Sequence, residues 1–146
     1  MAERSALRIL VVDDDPAMVR LAAAALTAHG FTDLEHVATG RDALLAAARA
    51  DVLLLDQNLP DLAGREVLLA LRAWPEPPSV VMVTAHGSET FAADALRAGA
   101  EDYLVKDASL AAMLPEVVER VRRMRSLREA LATAERELLH VERRAA

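Results

Sequence analysis

Three aspartates, Asp13, Asp14 and Asp15, follow directly on the apolar run Leu7-Arg8-Ile9-Leu10-Val11-Val12. Such a run reads as a buried parallel strand, whose carboxyl end is where open α/β sheets place their chemistry. Three like charges there cost free energy unless a cation or a proton offsets them, so a positive group is expected at that edge. A fourth carboxylate, Asp56, ends the run Val52-Leu53-Leu54-Leu55, Thr84 ends Val80-Val81-Met82-Val83, and Lys106 follows Leu104-Val105. Lys106 is the only lysine beside sixteen arginines. Its compact ammonium suits a small buried anion as a point charge, where a planar guanidinium needs more room. Asp14 and Asp56 offer hard oxygen ligands of the kind that bind Mg²⁺ with several retained waters. With Lys106 and the Thr84 hydroxyl they would stabilise charge on a transferring phosphoryl group, with a carboxylate as nucleophile. A carboxylate is already ionised at neutral pH, so no general base is required.

The elements that must position these groups alternate along the chain. Strands are expected at 7–12, 34–38, 51–55, 79–83 and 102–105, and helices at about 16–29, 40–49, 62–73, 88–98 and 109–143. Pro16 suits the first turn of the first helix, and Gly30 and Gly99 suit the left-handed position that closes a helix. Asp61 and Ser88 are candidate N-caps, and Pro75-Glu76-Pro77-Pro78 forces a connection before the fourth strand. Five βα units in succession imply a doubly wound parallel sheet with right-handed crossovers, in the order 2-1-3-4-5. In that order strands one, three, four and five are contiguous, so Asp13–Asp15, Asp56, Thr84 and Lys106 converge on one edge.

The 146 residues fit one domain, able to bury roughly two thirds of its unfolded surface. Apolar residues make up 53%, which argues for a globular chain, and the absence of cysteine excludes disulfides and thiolate metal sites. No signal-peptide pattern precedes the first strand, into which residues 1–5 lead directly, and no apolar run reaches a membrane span, so a soluble cytoplasmic protein is expected. Residues 1–114 carry a net charge of −8 and residues 115–146 a net charge of +2. An acidic body argues against nucleic acid as the main partner, and the glutamates interspersed in the Arg-rich tail read as a solvated helix face.

The last helix outruns the sheet. Positions 110, 113, 117, 120, 124, 127, 131, 134, 138, 141 and 145 alternate steps of three and four, and all but Arg120 are apolar. This heptad seam predicts a coiled-coil homodimer or a signalling linker, against the alternative of a helix folded back on its own domain. The flanking charges leave strand orientation open, although a parallel pair would set Glu137 against Glu142 of its mate.

Val11-Val12-Asp13-Asp14-Asp15-Pro16, Leu55-Asp56-Gln57-Asn58-Leu59-Pro60-Asp61-Leu62-Ala63-Gly64, Val83-Thr84-Ala85 and Asp102-Tyr103-Leu104-Val105-Lys106 resemble, in order, the receiver domain of bacterial two-component response regulators. The resemblance covers about residues 7–123 and implies a CheY-like, flavodoxin-like fold. It implies a receiver over 1–123 and a helical extension over 124–146. Asp56 would take a phosphoryl group from the phosphohistidine of a sensor histidine kinase or a phosphotransfer protein. Asp14, Asp56 and the Asn58 carbonyl would hold Mg²⁺, with Asp13 completing the acidic pocket and Lys106 on the phosphoryl group. Thr84 and Tyr103 would be the switch pair, the hydroxyl moving to the phosphoryl group as the ring turns inward. Asn58 and His86 would tune dephosphorylation. The switch would act on the face formed by the helix at 88–98, the strand at 102–105 and the last helix.

Two departures stand out. Asp107 replaces the proline that receivers usually carry after the lysine, often in a cis bond. A non-proline cis bond costs about 3 kcal/mol, so this peptide is either trans or held under strain. The helical tail also stands where many family members carry an output domain. A rival reading is a haloacid-dehalogenase-type phosphatase with Asp13 and Asp15 as its carboxylate pair. Against it, Ala17 stands where that family carries threonine, and no later acidic pair ends a strand. A third is a receiver-shaped interaction module that never uses phosphate, although such modules usually lack part of the site. His29, His36 and His140 are isolated and have no metal-ligand spacing.

Overall fold

The structure, a computed structural model, describes residues 2–85 and 87–145. Five strands, β1 (Ile9–Val12), β2 (Leu34–Val37), β3 (Val52–Leu55), β4 (Ser79–Thr84) and β5 (Asp102–Val105), form one sheet in the order β2-β1-β3-β4-β5. Every pairing is parallel. This is the expected order, and it places the C-terminal ends of β1, β3, β4 and β5 side by side.

Alternation of side chains across the pleat divides the core in two. Ile9, Val11, Val52, Leu54, Val81, Val83 and Leu104 face α2 (Pro16–Thr27) and the long α6 (Leu110–Ala145). Leu10, Val12, Leu53, Leu55, Val80 and Met82 face α3 (Gly40–Ala46), α4 (Gly64–Arg72) and α5 (Glu89–Arg97). β1, β3 and β4 are buried on both faces, which explains why they read as unbroken apolar runs and not as alternating ones.

Most helix boundaries follow local chemistry. Asp15 is the N-cap of α2, its carboxylate accepting from the Ala17 N–H at 3.0 Å, with Pro16 in the first turn. Ser88 caps α5 by accepting from the Phe91 N–H at 3.1 Å. Gly30 and Gly99 take positive φ of 88° and 114°, and the N–H after each reaches back to Leu26 and Ala95 respectively. The expected helix at 40–49 ends as a 3₁₀ turn over Ala47–Arg49.

Three expectations need correction. The chain does not lead straight into β1: residues Ala2–Ala6 form a short helix, α1. Five residues cannot sustain a helix by propensity, and tertiary contacts hold this one. Arg4 lies 5.4 Å from the Phe31 ring centroid and donates to Glu119 at 3.2 Å and to the His29 carbonyl at 3.0 Å. Nor does Asp61 cap the helix that follows it. Its carboxylate accepts from the Gly40 and Arg41 N–H groups at 2.8 and 3.0 Å, so it caps α3 across space, while the N-cap residue of α4, Ala63, makes no side-chain cap bond.

The third correction concerns the tail. Leu110, Val117 and the off-seam Leu114, Val118 and Val121 are buried against the sheet, whereas Met113, Met124, Leu127, Leu131, Leu138 and Val141 are exposed. One apolar repeat along the sequence is thus two surfaces in space, because the body takes the first turns of α6 into its core. Ion pairs extend the attachment. Arg120 pairs with Asp102, Arg125 with Asp51 at 3.7 Å, and Arg128 with Glu101 at 2.7 Å. Among the described residues no helix is long and apolar enough to cross a membrane.

Candidate functional site

β1 and β3 end one residue before Asp13 and Asp56, and Val12 pairs with Leu55, so the two carboxylates emerge as neighbours. Both are buried, Asp13 at 2% exposure and Asp56 at 5%, while Asp14 faces solvent. Carboxylate oxygens of Asp13, Asp14 and Asp56 lie within 4.8 Å of one another. Lys106, delivered by the end of β5, sets its Nζ 2.7 Å from Asp13 Oδ2 and 3.5 Å from Asp56 Oδ2. The positive charge expected at this edge is present, and the chain's single lysine supplies it.

Burial pushes the Asp56 carboxyl above its ordinary range, and the charge of Asp13 pushes it further. Lys106 and the Asn58 N–H oppose the shift without cancelling it. Burial alone would lower the Lys106 ammonium, but its hydrogen bond to Asp13 and the charge of Asp56 outweigh burial and raise it. The site therefore holds more negative charge than its protein cation balances. Three hard carboxylates in reach of one another, one open to water, fit an oxygen-seeking divalent cation.

The remaining expected residues divide. Thr84 is buried at the end of β4, and its carbonyl accepts from the Lys106 N–H at 2.8 Å, which ties the lysine loop to β4. Thr84, Asn58 and the half-buried Tyr103 line a cavity of about 210 Å³ between α4 and α5, together with Met82, Leu68 and Phe91. Arg65 and Asp94 join across its rim at 2.8 Å. Asp15 turns away from the cluster to cap α2. His86 lies outside the described residues. His36 donates through Nε2 to the Asp13 carbonyl at 2.9 Å, a contact that its isolation in the sequence gave no reason to expect.

Two features of the site were not singled out from the sequence. A side chain at Gly64 would place its Cβ 2.3 Å from the Asp56 carbonyl oxygen and 2.9 Å from Gln57 Cα. The Gly64 N–H donates to the Gln57 carbonyl at 2.8 Å, and the Gln57 side chain accepts from the Arg65 N–H. Glycine here lets the start of α4 press against the backbone of Asp56; the Pro60-to-Gly64 segment was the available signal. The second is the turn that Asp107 makes with Ser109. The Asp107 carboxylate accepts from the Ser109 N–H at 2.9 Å and from the Ser109 hydroxyl at 2.6 Å, which shapes the entry to α6. No cis peptide bond occurs among the described residues, so of the two alternatives for Lys106–Asp107 the trans bond is found.

The geometry matches known proteins closely. A sequence profile described as the response regulator receiver domain matches residues 9–119. The transcriptional regulatory protein KdpE of Mycobacterium tuberculosis is 38% identical over 117 residues, covering 79% of this chain and 51% of KdpE. The chain thus spans about half the length of that relative. The signal receiver domain of a putative LuxO repressor from Vibrio parahaemolyticus superposes with a TM-score of 0.79 at 31% identity, covering 86% of this chain and 96% of that one. The CheX–CheY–BeF3–Mg²⁺ complex from Borrelia burgdorferi gives a TM-score of 0.70 at 26% identity, covering 77% and 87%. The protein belongs to the response regulator receiver domain family of two-component signalling systems.

Proposed function

We propose that Asp56 is the phosphoacceptor and that residues 1–123 work as a phosphorylation-driven switch. An Asp56 carboxylate oxygen attacks the phosphorus of a phosphohistidine, the P–N bond breaks, and the imidazole of a sensor histidine kinase or phosphotransfer protein leaves. The observation that carries this is the buried Asp56 carboxylate, held 3.5 Å from Lys106 Nζ and beside the Asp13 and Asp14 carboxylates. Lys106 is positioned to leave Asp13 and follow charge onto the new phosphoryl oxygens. Asp14, Asp56 and the Asn58 carbonyl would hold Mg²⁺, with Asp13 behind them; when bound, the ion neutralises charge on the phosphoryl oxygens. Chemistry of this kind with kinase partners belongs in the cytoplasm.

Thr84 and Tyr103 form the switch pair in this reading, supported by the cavity that both line. The Thr84 hydroxyl engages the phosphoryl group and the Tyr103 ring moves into the space beside Met82. That movement changes the face made by α5, β5 and α6, and with it the pairing of the 124–146 extension in a homodimer. Asn58 and His86 would set the rate at which water reaches the acyl phosphate.

Incubation with a small-molecule phosphodonor and Mg²⁺ tests the reading. The expected product is one acyl phosphate per chain, mapped to Asp56 after reductive trapping and lost in Asp56→Asn. Modification of Asp13 instead would establish hydrolase-type chemistry. Unmodified chain, with identical solution scattering and exchange protection with and without BeF3 and Mg²⁺, would establish a phosphate-independent interaction module.

A further inference from the structure

Beyond Val121, the last core residue of α6, Met124, Leu127, Leu131, Leu138 and Val141 are between 43% and 63% exposed. With Ala134 they repeat in steps of three and four along one side of the helix. We infer that a second copy of this chain covers this ridge, and that the two tails run antiparallel, centred between Ala132 and Thr133. The inference rests on the reading that the extension pairs with itself, and it adds the orientation and register.

Charge argues for the orientation. In a parallel pair, Arg123 meets Arg128 of the second copy and Glu137 meets its Glu142, so symmetry produces four like-charge contacts. In the antiparallel arrangement Arg128 meets Glu135 of the second copy, twice, and Ala130 meets its Glu137. Two like-charge contacts remain, Arg123 of each copy with Arg144 of the other, at the solvated ends where screening is strongest. Arg128 already holds Glu101, but its side chain is 54% exposed and its guanidinium fork has donors for two carboxylates.

Burial argues for the register. The centred pairing joins Met124 with Val141, Leu127 with Leu138 and Leu131 with Ala134, each twice, and leaves no exposed seam residue after Val121 without a mate. A shift of one heptad toward the body would require Val117, which is 4% exposed and packed in the core. A shift the other way sets Glu135 and Glu137 each against its own counterpart in the second copy, two like-charge contacts.

The chain contains no cysteine, so introduced thiols report without background. Met124→Cys and Val141→Cys should be oxidised mildly, each alone and mixed in equal amounts, in the full chain at tens of micromolar. Along an antiparallel pair the two copies of position 124 are about 26 Å apart, far beyond the roughly 7 Å limit for a disulfide. Positions 124 and 141 share a layer. The mixed disulfide is expected to exceed either homodisulfide by about tenfold, given that geometric bar. Leu127→Cys mixed with Leu138→Cys should behave alike, which guards against a local effect of one substitution. Homodisulfides formed by each variant alone would overturn the antiparallel arrangement and leave the dimer standing. Sedimentation as a monomer, with no disulfide of any kind, would overturn both.

Discussion

Asp56 carries its charge against the preference of its surroundings. Burial and the neighbouring Asp13 raise its carboxyl, so the folded state holds this proton more tightly than the unfolded state does. The sign follows: the penalty is absent at pH values below the ordinary carboxylate range and grows as pH rises through the folded-state value. At neutral pH and without divalent cation, Asp56→Asn should therefore raise Tm by on the order of a few degrees. The gain should vanish toward pH 3, as read by thermal unfolding across a pH series. Mg²⁺ should reverse the ranking, because an ion at 100 times its Kd adds about 2.7 kcal/mol to a chain that binds it. That increment should be lost in both Asp14→Asn and Asp56→Asn; an equal response in all three proteins would remove the metal from this site. On the proposed function, the acidic congestion that costs stability would also prepare the pocket for a cation and a phosphoryl group, so function and stability would oppose each other here.

Among the elements, the β3–α4 connection sets the position of the proposed phosphoacceptor, Asp56. It returns on itself through the Gly64-to-Gln57 backbone bond and the Asn58–Ala63 bridge, and Asp61 fastens it to the start of α3. Gly64→Ala should push α4 away from the Asp56 backbone, since Cβ would overlap a carbonyl oxygen and not a yielding side chain. The expected cost is about 1–3 kcal/mol in urea unfolding, with a lower rate of acyl phosphate formation. A variant equal to the parent in both would show that this contact relaxes freely. The entry to α6 is the other informative element. Asp107 and Ser109 make a side-chain turn directly after Lys106, between the end of β5 and the start of α6.

At the scale of the whole molecule, one helix belongs to two surfaces. Its first turns complete the core through Leu110, Leu114, Val117, Val118 and Val121, and its later turns present an uncovered apolar ridge. Arg120 and Arg128 bind Asp102 and Glu101, the two residues immediately before Tyr103, so the tail is anchored next to the proposed switch residue. Leu131→Glu should leave monomer stability within about 0.5 kcal/mol, because the side chain touches no core. It should abolish the dimer in sedimentation velocity. A dimer that survives would place the interface elsewhere.

The sequence by itself determined the strand order, the parallel sheet and the meeting of Asp13, Asp14, Asp56, Thr84 and Lys106. These follow from periodicity and from the rule that βα units deliver strand ends to one edge, and both are local or topological properties. Only the tertiary structure decided which carboxylates are buried, that Asp61 caps a helix twenty residues before it, and that Ala2–Ala6 is helical. Each depends on partners distant in the chain, which no window of sequence contains. The tail shows the difference most plainly. Its heptad repeat was legible from Leu110 to Ala145, but a repeat records only that residues share a helical stripe. Whether that stripe meets the protein's own sheet or open water depends on where the body ends, and the body ends at Val121.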